Sequence, residues 1–399
     1  MGRTHRRFRL LGSALAAPLL VLLSACGGGD TGAKPADPVA TATPKPTPTP
    51  TPLPTIGSVS FSVPEARLLD DLSTTNIDFE IAPANADISK FTLVSSNTEV
   101  FSVRDGESLF AQAPGEARLI AKDGEKEIAS IPVTVDPVRL FSIGNSHTWD
   151  YQPSWSFRFV ADHLGMTLEN DWHIYCSNGI PQILAEPTRT CTESQFGDFR
   201  VALNEVSYDL ITLQPFWRGS AREEIEGIER MLDYISTTAS KDAKVYIYYT
   251  WPPNTADPFA DFQYRSAWQA PFDPEARYHA GEGFANYLEQ RFGDDDRVAG
   301  FIPAGHAMAI FDRAARQGEI TGFVSAGDLY RDYLHMNNGG KFLAGSTVLF
   351  ALFPHIEITD YDLPKFHPGK NAVYDRELTP SMRQQFMNVA RQALEERGG

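Results

Sequence analysis

Five short apolar runs, separated by stretches with helical periodicity, constrain the fold of the chain from residue 138 onward. The runs cover residues 138–143, 168–175 (the weakest), 210–213, 245–249 and 298–302. Apolar runs of this length are typical of parallel strands buried on both faces. Helical spacing fills the intervals, at residues 155–164, 222–237, 277–292, 305–317, 340–353 and 380–396. This alternation predicts an α/β domain over residues 137–399, built as a three-layer, doubly wound parallel sheet.

The preceding segment, residues 57–136, has a different texture. Short runs of alternating apolar and polar residues occur at 59–63, 77–81, 91–94, 100–103, 117–121 and 128–135. Period-two alternation with closely spaced turn residues is typical of antiparallel strands. The segment is therefore predicted to fold as a small all-β sandwich.

The N-terminus reads as a targeting segment. A basic stretch, Arg6-Arg7-Phe8-Arg9, precedes an apolar run at 10–23 that is too short to span a membrane. The run ends in Leu23-Ser24-Ala25-Cys26, which resembles a bacterial lipobox. The resemblance implies a signal peptide over 1–25, lipid on Cys26, and a location in the cell envelope, lipid-anchored at the outer membrane or cell surface. The alternative is an ordinary secretory signal with a chance cysteine. Residues 26–56, rich in Thr and Pro, are predicted to form an extended tether.

Charge and cysteine content limit the partners. The formal net charge is −16, which argues against nucleic acid or anionic lipid as a binding partner. Outside the cytoplasm, Cys176 and Cys191 are expected to form a disulfide, with two free thiols as the alternative. No Cys/His cluster has zinc spacing, so we expect neither a metal nor another cofactor.

Two distant motifs supply the residue types of a serine hydrolase. Gly144-Asn145-Ser146 follows the first apolar run, where a serine would open a helix at the C-terminal end of a strand. Asp332-Tyr-Leu-His335 lies shortly before the helical stretch at 340–353. A serine hydroxyl needs a base such as histidine, and a carboxylate orients that base. Each motif has a structural alternative, a helix cap for the first and a turn cap for the second. Asp328 is a competing carboxylate.

Together these motifs resemble the SGNH (GDSL-type) hydrolase family over residues 138–354. The resemblance implies that Ser146 is the nucleophile, with Asp332 and His335 as its partners. It also implies oxyanion donors at the Ser146 N–H and at Gly179, which follows the second strand. The family's Gly-x-Asn-Asp block is missing, and Gln214 is the candidate for the substitute donor; the alternative is that its amide satisfies loop backbone groups before Pro215. His147, which replaces an apolar residue of the family, is expected at the surface or facing the substrate.

The all-β segment carries a second resemblance. Pro83-Ala-Asn85-Ala, Ser95-Ser-Asn97-Thr-Glu-Val100 and Ala113-Pro-Gly115-Glu-Ala117 are similar to the bacterial Ig-like (group 2) domain. In that family these residues shape the fold and are not catalytic. The expected role is a spacer or docking module, with specific adhesion as the alternative.

Aromatic residues beyond the predicted strand ends suggest the substrate. Trp149, Trp217 and Trp251 are expected to contact it, because binding loops gather at strand ends. The sequence therefore predicts a surface-tethered serine esterase that removes acyl groups, most simply acetyl groups from a glycan. The alternatives are a lipase or thioesterase acting on longer acyl chains, and a binding or adhesion lipoprotein without catalytic activity.

Overall fold

The computed structural model describes residues 52–151, 156–254, 264–277, 279–361 and 377–397. The predicted signal peptide, the lipidation site Cys26 and nearly all of the tether lie outside these residues. From Leu53 onward the described residues belong to one compact unit, which contains two separate hydrophobic cores. None of the described helices combines the length and the apolar character needed to cross a bilayer.

The first core lies among nine short strands. They are β1 (Ser58–Phe61), β2 (Ala66–Leu69), β3 (Thr74–Asn76), β4 (Phe79–Ala82), β5 (Phe91–Ser95), β6 (Phe101–Arg104), β7 (Ser108–Ala111), β8 (Gly115–Asp123) and β9 (Lys126–Asp136). They form three small sheets, ordered β1-β4, β2-β9-β8-β5 and β3-β7-β6. One pair, β2 with β9, is parallel, which the antiparallel prediction did not include. The alternating burial along β8 and β9 places Leu119, Ala121 and Val133 in the core.

The second core surrounds a five-stranded parallel sheet. Its strands are β10 (Val138–Gly144), β11 (Leu168–Ile174), β12 (Leu210–Leu213), β13 (Lys244–Tyr249) and β14 (Val298–Pro303). Their order is β11-β10-β12-β13-β14, with every neighbouring pair parallel. β10 and β12 are fully apolar except for Arg139, Ser142 and Thr212, as expected for strands covered on both faces. The predicted α/β fold with a parallel sheet is confirmed.

Ten helices connect and cover this sheet in the described part of the chain. They are α1 (Ser146–Asp150), α2 (Ser156–Leu164), α3 (Ile180–Ala185), α4 (Phe199–Glu205), α5 (Ala221–Ile235), α6 (Tyr264–Trp268), α7 (Glu282–Phe292), α8 (Ala304–Arg316), α9 (Asn338–Leu352) and α10 (Pro380–Arg397). A 3₁₀ turn spans Ala326–Leu329. Right-handed crossovers in this strand order put α2 on one face and α4, α5 and α7 on the other. The chain thus changes direction at β10 and β12, and the carboxyl ends of these two strands form the crevice where such folds bind ligands.

The predicted disulfide is confirmed. Cys176 and Cys191 are bonded, with their Cα atoms 5.8 Å apart. The bridge closes a loop that begins just after β11 and contains α3. Because α3 is only one and a half turns long, this closure and its packing on α5 stabilise it more than its own helical propensity.

Candidate active site

Ser146 lies where the sequence places it, as the first residue of α1 directly after β10. Asn145 caps the helix, because its Oδ1 accepts the His147 N–H at 2.9 Å. The Asn145 side chain also donates from Nδ2 to the carbonyl of Asn178 at 2.9 Å, which ties this turn to the loop after β11. Ser146 is partly exposed, whereas Asn145 and His147 on either side of it are fully buried. A serine on a firmly held turn therefore faces outward at the crevice of the sheet.

Gly144 and Gln214 pack against this turn and fix its position. A Cβ at Gly144 would collide with Thr148 Oγ1 and lie 2.7 Å from Gln214 Cβ, so only glycine fits. Gln214 Oε1 accepts the Asn145 N–H at 3.0 Å and the Thr148 hydroxyl at 3.1 Å. Its Nε2 donates to the Pro215 carbonyl at 2.6 Å, and the side chain is fully buried. The Gln214 amide is thus bonded to groups of the protein and is not free to donate to an oxyanion. This arrangement matches the alternative to the predicted role, and it holds the serine turn in place.

The loop that carries Asp332 and His335 is closed on itself. Tyr330 and Met336 form an isolated antiparallel bridge, and the Arg331 N–H donates to the His335 carbonyl at 2.9 Å. Asp332 Oδ1 accepts the N–H groups of Leu334 and His335 at 2.8 and 2.7 Å. These bonds fold a tight turn that brings the two side chains together, as their three-residue spacing predicts.

The His335 ring is oriented by Asp332. His335 Nδ1 lies 3.0 Å from Asp332 Oδ2 and 3.1 Å from Oδ1. Burial alone would raise the pKa of Asp332, but the N–H groups of His335 and Leu334 and the His335 ring outweigh it and lower that pKa. An ionised carboxylate at Nδ1 stabilises the tautomer whose free nitrogen is Nε2, the form that can act as a base. Asp328, the competing carboxylate, instead accepts the Val324 N–H at 2.7 Å and caps the 3₁₀ turn.

The serine turn and the histidine loop meet through their neighbours. The rings of His147 and His335 lie edge to face, with centroids 6.3 Å apart. Asp150, at the end of α1, accepts the Met336 N–H at 2.9 Å. Among the described residues, neither Ser146 Oγ nor His335 Nε2 forms a hydrogen bond, so the bond between them is not made in this structure. Catalytic hydrogen bonds are often long before substrate binds.

His147 is buried, and the expectation that it lies at the surface or faces the substrate is wrong. Its ring stacks on Trp251 at 4.8 Å, and Nδ1 lies 2.8 Å from the Thr250 hydroxyl. Burial, reinforced by the nearby His335, lowers the pKa of His147 to about 3, so this imidazole is neutral at physiological pH. A neutral imidazole at His147 adds no positive charge beside His335.

Two of the three predicted oxyanion donors are occupied by protein groups. Gln214 is bonded as described above, and the Gly179 N–H donates to Gln182 Oε1 at 3.0 Å. A Cβ at Gly179 would collide with the Glu224 carboxylate, so a larger residue here would displace that carboxylate. The Ser146 N–H, in the first turn of α1, forms no hydrogen bond with another described residue and fits the predicted role.

Glu224 is a buried acid that the sequence did not reveal. Its Oε1 accepts the Ile180 N–H at the start of α3, at 2.8 Å. Burial raises its pKa to about 8, against the opposing effect of that N–H. Glu224 of α5 thereby supports the loop that contains Gly179. The sequence did not reveal this contact, because it depends on packing between elements that are distant in the chain.

The aromatic residues divide into two groups. Trp251 is fully buried and donates from Nε1 to the Leu334 carbonyl at 2.9 Å, so the substrate contact predicted for it is wrong. Trp149 and Trp217 are partly exposed, and Trp149 pairs edge to face with Trp172 at 5.4 Å. Tyr333, between Asp332 and His335, is 62% exposed. Trp172 and Tyr333 were not among the predicted substrate contacts, although Tyr333 lies inside the Asp-x-x-His motif.

No group of three or more His, Cys, Asp or Glu side chains in the described ranges is arranged to hold a metal ion.

Comparison with known proteins finds similar solved structures but no family to which the chain is assigned. No protein-family model matches the chain, and no curated protein matches it. A DUF4886 family protein from Bacteroides uniformis is similar at 15% identity and a TM-score of 0.46, over 65% of this chain and 95% of that one. A candidate SGNH hydrolase from Slackia heliotrinireducens shows 20% identity and a TM-score of 0.35, over 54% of this chain and 98% of that one.

A third solved structure, a candidate GDSL-like lipase from Parabacteroides merdae, shows 13% identity and a TM-score of 0.35, over 55% of this chain and 96% of that one. At these identities and scores, function has to be argued from the site itself.

Proposed function

We propose that this protein is a serine esterase that uses Ser146, His335 and Asp332. The observation that carries the proposal is the contact of His335 Nδ1 with both Asp332 oxygens, at 3.0 and 3.1 Å, on a loop bonded to the helix that Ser146 opens. A histidine oriented in this way, beside a partly exposed serine at the crevice of a doubly wound sheet, can act as a general base.

The reaction follows from these positions. Ser146 Oγ attacks the ester carbonyl carbon while His335 Nε2 takes the hydroxyl proton, and the Ser146 N–H donates to the oxygen that becomes negative. The tetrahedral intermediate collapses when the protonated His335 gives its proton to the leaving alkoxide, which departs as an alcohol. His335 then deprotonates a water that attacks the acyl-serine, and it gives this proton to Ser146 Oγ as the bond to the acyl group breaks and the acid is released.

The proposed substrate is an O-acylated glycan, with acetyl as the acyl group. Partly exposed aromatic side chains around the site, Trp149, Trp172 and Tyr333, present flat apolar surfaces that suit sugar rings. The net charge of −16 disfavours a polyanionic substrate and leaves a neutral glycan compatible. A lipid anchor on Cys26 would hold the enzyme at the cell envelope, where such polymers occur.

The activity is tested with p-nitrophenyl acetate and the variant Ser146→Ala. We expect wild-type turnover, and a loss of at least about 10³-fold in the variant, because the nucleophile is removed. Equal rates for the two proteins would end the esterase proposal.

The acyl group is tested by comparing p-nitrophenyl acetate with the octanoate ester, and by measuring acetate released from acetylated xylan. We expect acetate to be preferred and released from the polymer. A preference for octanoate would indicate a lipase or thioesterase instead.

A further inference from the structure

The loop that carries Asp332 and His335 is attached to the rest of the protein at both of its ends. Met336, the residue after His335, donates its N–H to Asp150 Oδ2 at 2.9 Å. Arg331, the residue before Asp332, has Nη2 3.7 Å from Asp150 Oδ1. One carboxylate therefore contacts the two residues that flank the segment from Asp332 to His335.

Asp150 belongs to the same short helix as the nucleophile. It lies four residues after Ser146, which on an α-helix is about one turn and roughly 6 Å along the axis. The hydrogen bond from Met336 to Asp150 Oδ2 joins residues 186 positions apart in the sequence, yet only one helical turn separates Asp150 from Ser146. A shift of this carboxylate would thus move the base relative to the nucleophile.

The surroundings of Asp150 make this attachment stiff. The residue is 1% exposed, so its hydrogen bonds do not compete with solvent. Arg331 also has Nε 3.6 Å from Asp332 Oδ2, so its guanidinium lies between the buried carboxylate and the catalytic one. Removing one partner from a buried charged pair is costly, because the other charge is left without compensation.

We propose that Asp150 is a positioning residue that fixes His335 and Asp332 relative to Ser146 by holding both ends of their loop on α1. This role rests on the proposed esterase function. It concerns the placement of the base, because Asp150 bonds to Met336 and pairs with Arg331, the two residues that flank the loop, and neither contact is with the reacting atoms.

The test uses Asp150→Ala and Asp150→Asn in the full chain. Amide hydrogen exchange of residues 331–336 measures the attachment, and p-nitrophenyl acetate kinetics measure its effect. We expect faster exchange in this loop in Asp150→Ala, a kcat lower by about 10- to 100-fold and a KM within about twofold of wild type. Asp150→Asn retains an oxygen that can accept the Met336 N–H and should recover part of both effects.

Asp312→Ala is the matched control. Asp312 is also a buried carboxylate that accepts a backbone N–H at 2.9 Å, from Ala326, and pairs with an arginine, Arg316. Its removal should loosen the turn at Ala326 and lower stability, while exchange at 331–336 and kcat stay near wild-type values.

Unchanged exchange at 331–336 in Asp150→Ala would overturn the proposal, whatever the activity. So would faster exchange with an unchanged kcat, because the loop position would then not matter for the base. Wild-type turnover equal to that of Ser146→Ala would instead refute the esterase function and with it the positioning role, while the exchange data would still report whether Asp150 orders the loop.

Discussion

Asp332 accepts hydrogen bonds from two backbone N–H groups and lies against the ring of His335, and these contacts determine what its removal would do. Without the carboxylate, the tautomer of His335 with Nε2 free loses its stabilisation, and the turn loses two bonds. We expect Asp332→Ala to lower kcat for p-nitrophenyl acetate by about 10²- to 10⁴-fold.

Asp328→Asn is the control for this prediction, because the Asp328 carboxylate caps the 3₁₀ turn through the Val324 N–H, whereas Asp332 is the carboxylate at the His335 ring. Its kcat should remain within about threefold of wild type. If Asp328→Asn lowered kcat more than Asp332→Ala, Asp328 would be the partner of the base and our assignment would be wrong.

A second residue-scale prediction concerns Gly144. Because a Cβ here would collide with Thr148 Oγ1 and crowd Gln214, we expect Gly144→Ala to lower the free energy of unfolding by about 1–3 kcal/mol. Urea denaturation followed by circular dichroism measures the change. Gly345→Ala is the control, since the nearest atom to its added Cβ is the Tyr151 carbonyl oxygen at 3.9 Å. An equal effect of both substitutions would contradict the packing argument.

At the scale of elements, the strands of the parallel sheet and the long helices were predictable, and the short helices were not. The run at 210–213 coincides with β12, and α2, α5, α8 and α9 fall within two residues of their predicted bounds. The helices α3, α4 and α6 were missed, because five to seven residues hold too little periodicity to detect. The strands β2, β3 and β7 were also missed, because three or four residues show too little alternation, and the parallel pairing of β2 with β9 was missed with them.

The candidate site divides in a similar way. The positions of Ser146 at the start of α1 and of Asp332 beside His335 could be predicted, because they depend on short local motifs. The burial of His147 and Trp251 could not be predicted, because each ring is covered by the other and by residues more than 80 positions away in the sequence. Asp150 and Glu224 escaped notice for the same reason, since a carboxylate that accepts one backbone N–H from a distant loop leaves no local pattern.

Glu224 gives a prediction about pH at the scale of elements. Its pKa is about 8 in the folded protein, against 4.5 for an ordinary glutamate. The folded state therefore holds a proton that the unfolded state releases, and stability falls as pH rises from 4.5 through 8. We expect Glu224→Gln to remove this fall, so that its unfolding free energy improves relative to wild type from pH 5 to pH 8.

Urea denaturation at several pH values provides the measurement. Glu226→Gln, at an exposed position of α5, controls for the loss of one negative charge. If the unfolding free energies of wild type and Glu224→Gln changed in parallel with pH, Glu224 would not hold a proton in the folded protein, and the prediction would be wrong.

At the scale of the whole molecule, the strands β1–β9 contact the α/β domain on the side away from the site. Asp70 Oδ2 accepts the Thr167 N–H at 2.9 Å, just before β11 begins, and Pro137 alone separates β9 from β10. These contacts lie at the amino ends of the parallel strands, whereas Ser146 follows the carboxyl end of β10. The seven residues of β10 separate the two edges by roughly 20 Å.

This separation predicts that stability and catalysis respond differently to changes at the contact. Asp70 is 1% exposed, and we expect Asp70→Ala to lower the free energy of unfolding by about 1–3 kcal/mol, because the Thr167 N–H loses its acceptor. The kcat for p-nitrophenyl acetate should stay within about twofold of wild type. A loss of kcat comparable to that of Asp332→Ala would mean that the strands β1–β9 influence the site directly.

The most direct measurement of the central claim is covalent labelling with a fluorophosphonate, followed by mass spectrometry of the labelled peptide. We predict that folded wild-type protein is labelled on Ser146 at neutral pH, and that His335→Ala slows labelling by about 10²-fold or more, because the serine then lacks its base. Folded protein without label on Ser146, or labelling at the same rate in wild type and His335→Ala, would contradict the account.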